Sequence, residues 1–166
     1  MKLLLIRATG VPDGLADSAL RAIAAFNASL DIRLRFLNIG IEPSVVAVAE
    51  AAEAAEVVDA ALSQSPFDAA LLFGGGAAAL AAATTVVRSG VLLVRAGAGV
   101  RTGPEADASR AIDRLAGVLL PFDAAGTRSL QSEGLHAEAP IGRADDDESG
   151  AKLVRGLTAA RRRNSC

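Results

Sequence analysis
The sequence predicts an α/β protein, a Rossmann-like parallel sheet with helices on both faces that forms a single three-layer α/β/α domain. Short apolar runs able to be buried on both faces recur along the chain, and Ala-rich segments of helical period lie between them. The two kinds of segment alternate in regular β-α-β-α order, which calls for crossover connections and hence parallel strands. At 166 residues the chain has the size of one domain with a substantial core.

The apolar runs are 3–6 (LLLI), 32–37 (IRLRFL), 69–73 (AALLF), 91–94 (VLLV) and 118–120 (VLL), and each is read as a strand. The opening MKLLLIR reaches Arg7 too soon for a signal-peptide apolar region, so it is taken as the first strand rather than a leader. Helices are expected over 14–27, 44–64, 77–88, 106–115 and 124–133. Asp13 after Pro12, Ser44 after Pro43, and Asp123 each offer a side-chain oxygen to the unpaired N–H groups of a first helical turn. The Ala runs suit helices lying close on a sheet, since alanine is the best helix former and the smallest side chain that is one. After a domain spanning 1–143, the stretch 144–150 (ADDDESG) reads as an acidic linker. The remaining 151–166 holds one short helix over 151–163, with Leu153, Val154 and Leu157 on a single face that packs back on the domain.

Composition narrows the function classes. The chain is 51% apolar with a formal net charge of -2, and no apolar run approaches the ~20 residues that cross a bilayer. The expectation is a soluble, cytoplasmic protein without a membrane partner. The only cysteine is Cys166, the last residue, which leaves no internal disulfide and no cysteine-based metal site. With no Trp or Tyr, five Phe and balanced charge, the chain has little to stack on bases or to spread along phosphates, so no nucleic-acid partner is expected.

In an open parallel sheet, ligands collect beyond the carboxyl ends of the strands. Four segments arrive there: Arg7, Ala8, Thr9 and Gly10 after the first strand; Asn38, Ile39 and Gly40 after the second; Gly74, Gly75 and Gly76 after the third; and Arg95 through Gly97 and Gly99 to Arg101, Thr102 and Gly103 after the fourth. Glycine admits close backbone approach, and the free N–H groups of a following helix favour an anion. The three glycines serve equally as a tight strand-to-helix turn or as a phosphate cradle, and they lack the GxGxxG spacing of a dinucleotide fingerprint. Arg95 and Arg101 are read as anion ligands in preference to partners of surface carboxylates. Asp107, Arg110, Asp113 and Arg114 share one helix and read as a solvated face, and His136 as a surface loop residue. The ligand-binding candidates are therefore Thr9, Gly10, Gly74, Gly75, Gly76, Arg95, Gly97, Arg101 and Thr102. No catalytic set and no metal cluster is found.

The stretch 70–103, ALLFGGGAAALAAATTVVRSGVLLVRAGAGVRTG, resembles the segment of the non-hydrolysing UDP-N-acetylglucosamine 2-epimerases that carries HGDT and then HVEAGLRTG. Superposed without a gap, Phe73 falls at the first histidine, Gly75 at the aspartate, Arg95 at the second histidine and Gly97 at the glutamate. Ala98, Gly99, Arg101, Thr102 and Gly103 are retained. PEADASR resembles the family's PEEANR; anchored on Arg110, the acidic pair falls on Ala106 and Asp107, and Glu105 enters only if the match is slid. The segment 129–134 resembles the family's NLxxEG, 141–143 the close of its first lobe, and Thr9, Pro12 and Asp13 echo GTRPE with Val11 in place of arginine.

The resemblance thus implies the N-terminal lobe of a GT-B-like epimerase, degenerate at its catalytic positions, with no counterpart here of the second lobe that holds the nucleotide. The 151–163 helix would stand where that family's terminal helix crosses back. Proton transfer at a sugar carbon needs placed acids and bases, which Gly75 and Gly97 cannot be. The expected function is a noncatalytic epimerase-like domain that binds a nucleoside diphosphate, a nucleotide-sugar or another phosphate-bearing ligand. No cofactor is required beyond a bound nucleotide such as UDP or ADP. The alternatives are an interaction or regulatory subunit that pairs as a homodimer or with a partner chain, and one half of a split sugar-nucleotide epimerase.

Overall fold
A computed structural model of the chain describes residues 1–8, 11, 13–29, 42–142 and 147–164. Five parallel strands run in the order β2-β1-β3-β4-β5: β1 (Lys2–Ala8), β2 (Glu42–Val48), β3 (Ala69–Phe73), β4 (Leu92–Ala96) and β5 (Val118–Leu120). Among the described residues six helices accompany them: α1 (Asp13–Ser29), α2 (Ala51–Gln64), α3 (Gly76–Arg88), α4 (Ala106–Leu115), α5 (Ala124–Ser132) and α6 (Asp147–Asn164). The Rossmann-like α/β architecture expected from the alternation is the one observed.

Strand alternation sorts the core into two layers. Leu3, Leu5, Leu71, Phe73, Val94 and Leu120 face α1 and α6, meeting Ala19 and Ile23 of the one and Leu153, Val154 and Leu157 of the other. Leu4, Ile6, Ala70, Leu72 and Leu93 face the opposite way, onto Ala54 and Val58 of α2, Ala79, Ala82, Ala83 and Val86 of α3, and Ile112 of α4. The buried alanines of α3 let its backbone lie close on the sheet. A smaller cluster of Ala98, Leu119 and Leu130 joins α5 to β5. The first turn of α6 is drawn from the acidic stretch that follows residue 146.

Two expectations are corrected. The segment from 44 does not open a helix: 42–48 (EPSVVAV) pairs with β1 along its whole length, Lys2 opposite Glu42 through Ala8 opposite Val48. Val45, Val46 and Val48 are β-branched and lose rotamer freedom in a helix, so helical order starts only at Ala51 in the run AAEAAEVVDAALSQ. Ser44 is consequently a strand residue and not a cap. The strand expected over 32–37 lies outside the described residues. Asp123 does cap its helix, accepting a hydrogen bond from the Gly126 N–H at 2.8 Å. The α4 bounds are as expected, and α3 begins one residue earlier.

The close fit of α3 makes a checkable prediction. Ala82 is fully buried, so Ala82→Leu should overpack the interface and lower stability by about 1–3 kcal/mol in urea denaturation. Ala77, exposed on the same helix, should accept leucine with a change under about 0.5 kcal/mol.

Candidate functional site
Reversal of strand order between β1 and β3 opens a crevice at the carboxyl edge of the sheet. A pocket of about 380 Å³ occupies it. Val11 and Leu15 enter after β1, Phe73, Gly74 and Gly75 after β3, Arg95, Ala96 and Gly97 from the end of β4, and Val100 and Thr102 from the loop beyond. Glu105 and Ser109 of the α4 region and Phe122 after β5 complete the lining. A larger groove of about 650 Å³ runs between α1 and α6, but its walls are helix side chains such as Ala22, Ala25 and Val154, with no strand end contributing.

Glycine shapes this pocket in two ways. Gly74 has φ of 100°, and a Cβ there would lie 2.7 Å from Val11 Cγ2 and 2.8 Å from Ala8 Cβ. Conformation and space both demand glycine. Gly75 is extended, a conformation open to any residue, yet a Cβ on it would sit 2.9 Å from both Glu105 Oε2 and Ser109 Oγ. Here the neighbours, rather than the backbone, crowd a side chain, and they would have to shift to admit one.

Arg95 is a core residue of β4 and not a loop residue beyond it. It shares a strand face with Leu93 and pairs in register with Leu72 and Leu119, so its stem points into the layer beneath α3 and α4. Its exposure is 3%. Burial pushes the guanidinium pKa down to about 10, against the opposing attraction of Asp113 and then Glu105. Asp113, 1% exposed on α4, stands 3.7 Å from Arg95 Nε through Oδ1. Neither Arg95 Nε, Arg95 Nη1 nor Asp113 Oδ1 has a hydrogen-bond partner among the described residues. Arg95 is also one of the residues that line the pocket, so a buried cation with unmade hydrogen bonds stands in its wall, an arrangement that favours an anion.

The second oxygen of Asp113 is fully engaged. Oδ2 accepts from the Gly99 N–H at 3.0 Å and from Arg101 Nη1 at 2.7 Å. Arg101 also donates through Nε and Nη2 to the two oxygens of Glu133, at 2.7 and 3.3 Å. Arg110 adds a 3.3 Å bond to Glu133 and a 3.1 Å bond to exposed Asp107. Burial opposes the Arg101 charge, but the hydrogen bonds to Glu133 and Asp113 outweigh it and raise its pKa. The Arg101 hydrogen bond is the main cause that holds the Glu133 carboxyl below the usual range, with Arg110 assisting and desolvation opposing.

Of the sequence-derived candidates, Gly74, Gly75, Arg95, Gly97 and Thr102 line one pocket, and Gly76 starts α3 beside it. Thr9 and Gly10 lie outside the described residues. Arg101 is held in the ion-pair network and does not line the pocket. The expected solvated face of α4 is corrected at Asp113, which is buried with Ser109 and Ile112. Ser109, Ile112 and Asp113 are spaced i, i+3 and i+4, so the large apolar Ile112 already marked the inward face. Glu105, Ser109, Phe122 and Glu133 were not among the candidates. His136 is exposed in a loop as expected. Among the described residues no group of three His, Cys, Asp or Glu side chains could hold a metal ion, and no helix is long and apolar enough to cross a membrane.

No family model and no curated protein matches the chain. Solved structures do. The UDP-GlcNAc 2-epimerase of Methanocaldococcus jannaschii in complex with UDP-GlcNAc and UDP is similar with a TM-score of 0.67 at 14% identity, over 82% of this chain and 44% of that one. The Rickettsia bellii UDP-N-acetylglucosamine 2-epimerase matches with a TM-score of 0.62 at 20% identity, over 95% and 47%. The Staphylococcus aureus MnaA–UDP structure matches with 0.64 at 14%, over 85% and 44%. The chain resembles one lobe of these epimerases in fold and spans a little under half their length.

The ion network predicts two stability effects. Asp113→Ala leaves the buried Arg95 uncompensated and should lower stability by about 3–5 kcal/mol, whereas Asp107→Ala on the exposed side of α4 should change it by under about 0.5 kcal/mol in the same urea titration. For Glu133 the folded pKa lies below the unfolded one. Its contribution is fully present above the unfolded value of about 4.3 and is lost as pH falls through the folded value. The stability gap between wild type and Glu133→Gln should therefore shrink as urea titrations are moved from pH 7 to pH 3.

Proposed function
We propose that the chain is a noncatalytic, epimerase-like domain that binds a phosphate-bearing ligand, of the nucleoside diphosphate or nucleotide-sugar class, in the pocket at the carboxyl edge of its sheet. The observation that carries this is Arg95, a buried cation in the pocket wall at the end of β4, whose Nε and Nη1 make no hydrogen bond among the described residues and which Asp113 approaches only to 3.7 Å. The amino end of α3 lies on the same pocket through Gly74 and Gly75, adding N–H groups and the positive end of a helix dipole. The volume of about 380 Å³ is within the range of small-ligand sites. The Staphylococcus aureus MnaA structure of similar fold holds UDP, and the Methanocaldococcus jannaschii one UDP-GlcNAc and UDP.

The noncatalytic part of the proposal rests on Gly75 and Gly97, which carry no group able to move a proton. A side chain at Gly97 would also meet the Phe122 ring, whose Cε2 would lie 2.5 Å from a Cβ, at a φ of 74°, and one at Gly75 would require Glu105 and Ser109 to shift.

Binding to the native state alone raises stability by about 2.7 kcal/mol at a ligand concentration one hundred times Kd. Thermal unfolding with UDP, ADP and UDP-GlcNAc should thus show a rise of several degrees for at least one of them, and Arg95→Gln should abolish it. Absence of any shift at millimolar ligand overturns the binding site. Turnover of UDP-GlcNAc to UDP-ManNAc by the purified chain would overturn its noncatalytic character.

A further inference from the structure
Glu105 introduces a negative charge into a pocket otherwise suited to anions. It immediately precedes α4, yet its side chain makes no capping hydrogen bond to that helix. The carboxylate reaches instead to the start of α3. A Cβ on Gly75 would lie 2.9 Å from Oε2, and one on Gly76 would lie 2.7 Å from Oε1, so the two oxygens straddle the first residues of that helix. Arg95 senses the same charge, since Glu105 is among the groups that favour its protonated form. An anion drawn to Arg95 and to the amino end of α3 therefore meets the Glu105 carboxylate at close quarters. At such separations the repulsion rises with each added unit of ligand charge.

We propose that Glu105 is the specificity-determining residue of this pocket, selecting phosphates that carry one negative charge each over terminal phosphates that carry nearly two. The inference rests on the anion site proposed above. A phosphate esterified on both sides has a single charge, and the hydroxyls of the group attached to it can donate hydrogen bonds to the Glu105 oxygens. A terminal phosphate near neutral pH carries about one and a half to two charges and offers nothing that the carboxylate accepts. The pocket thus favours a sugar-esterified diphosphate over the free nucleoside diphosphate. Glu105 is exposed and not part of the Arg101–Asp113–Glu133 network, so its neutral isostere leaves the fold in place.

The test is calorimetric titration of wild type, Glu105→Gln and Glu53→Gln with two pairs of probes, UDP with UDP-GlcNAc and ADP with ADP-glucose. Glu53 is an exposed acid on α2 that makes the same change in net charge away from the pocket. In wild type the sugar-esterified member of each pair should bind about tenfold tighter, and in Glu105→Gln the free diphosphate should gain about tenfold so that the preference collapses. An unchanged preference in Glu105→Gln overturns the role of Glu105 and leaves the anion site standing. An equal gain in Glu53→Gln shows a general charge effect and overturns it as well. If no probe binds any of the three proteins at millimolar concentration, the anion site itself fails, and the inference falls with it.

Discussion

The fold tolerates an arginine at a core position of β4 because a carboxylate is buried with it. Arg95 occupies a place that Leu93, two residues earlier, fills with hydrocarbon. A cation taken out of water there loses hydration worth several kcal/mol, a loss that a close opposite charge offsets. Asp113 supplies that charge from α4, and its second oxygen orders the loop after β4 by accepting from Gly99 and Arg101. Arg101 in turn reaches Glu133 at the end of α5. One buried carboxylate thereby holds the arginine in the pocket wall, the loop that forms the pocket rim, and, through Arg101, the link from α4 to Glu133 after α5. The order of dependence matters. Arg101, which the sequence offered as a ligand, is the residue that holds the scaffold, and its charge is already matched.

The pocket itself exists because small residues meet at the strand ends. Gly97 lies beneath the Phe122 ring, and Gly99 against the Gly126 backbone, so the loop after β4 and the start of α5 approach without intervening side chains. The loop is also pinned to β5 by the Gly97 and Ala98 N–H groups, both of which donate to the Leu120 carbonyl. Rigid backbone on one side and a tethered arginine on the other give the proposed anion site a preorganised frame. Such a site spends little of its binding energy on ordering itself.

The architecture was legible in the sequence where local pattern and tertiary demand agree. Runs such as AALLF at 69–73 and VLL at 118–120 are buried on every residue, the first in the centre of the sheet and the second at an edge that the chain covers. The pattern failed at 42–48, where a Pro-Ser pair resembling a helix start precedes β-branched residues. Pairing with β1 decided that segment, and pairing is a long-range fact that no local window contains. The glycines and Arg95 were legible because residue type and position at a strand end suffice to suggest them. Asp113 and Glu105 were not, for opposite reasons. Asp113 sits in a helix rich in charged residues, with Ile112 beside it to reveal the inward face, while Glu105 matters through its approach to Gly75 and Gly76, about thirty residues away along the chain.

That last contact bears on what a shared fold conveys. The epimerases resembled here match over more than four-fifths of the chain at 14–20% identity, and identity so low transmits the arrangement of backbone but not the charges placed upon it. In this chain a glycine stands at 75 where the resemblance puts an aspartate, and the space beside it is filled by a carboxylate from a different element. The two arrangements can look alike in net charge. They differ in origin, because the Glu105 carboxylate is presented by an exposed residue ahead of α4, whereas one on residue 75 would be carried by the strand end itself. An acid placed beside a buried arginine in this way suits the proposed choice among anions. Proton transfer demands instead that the acid stay where the substrate needs it.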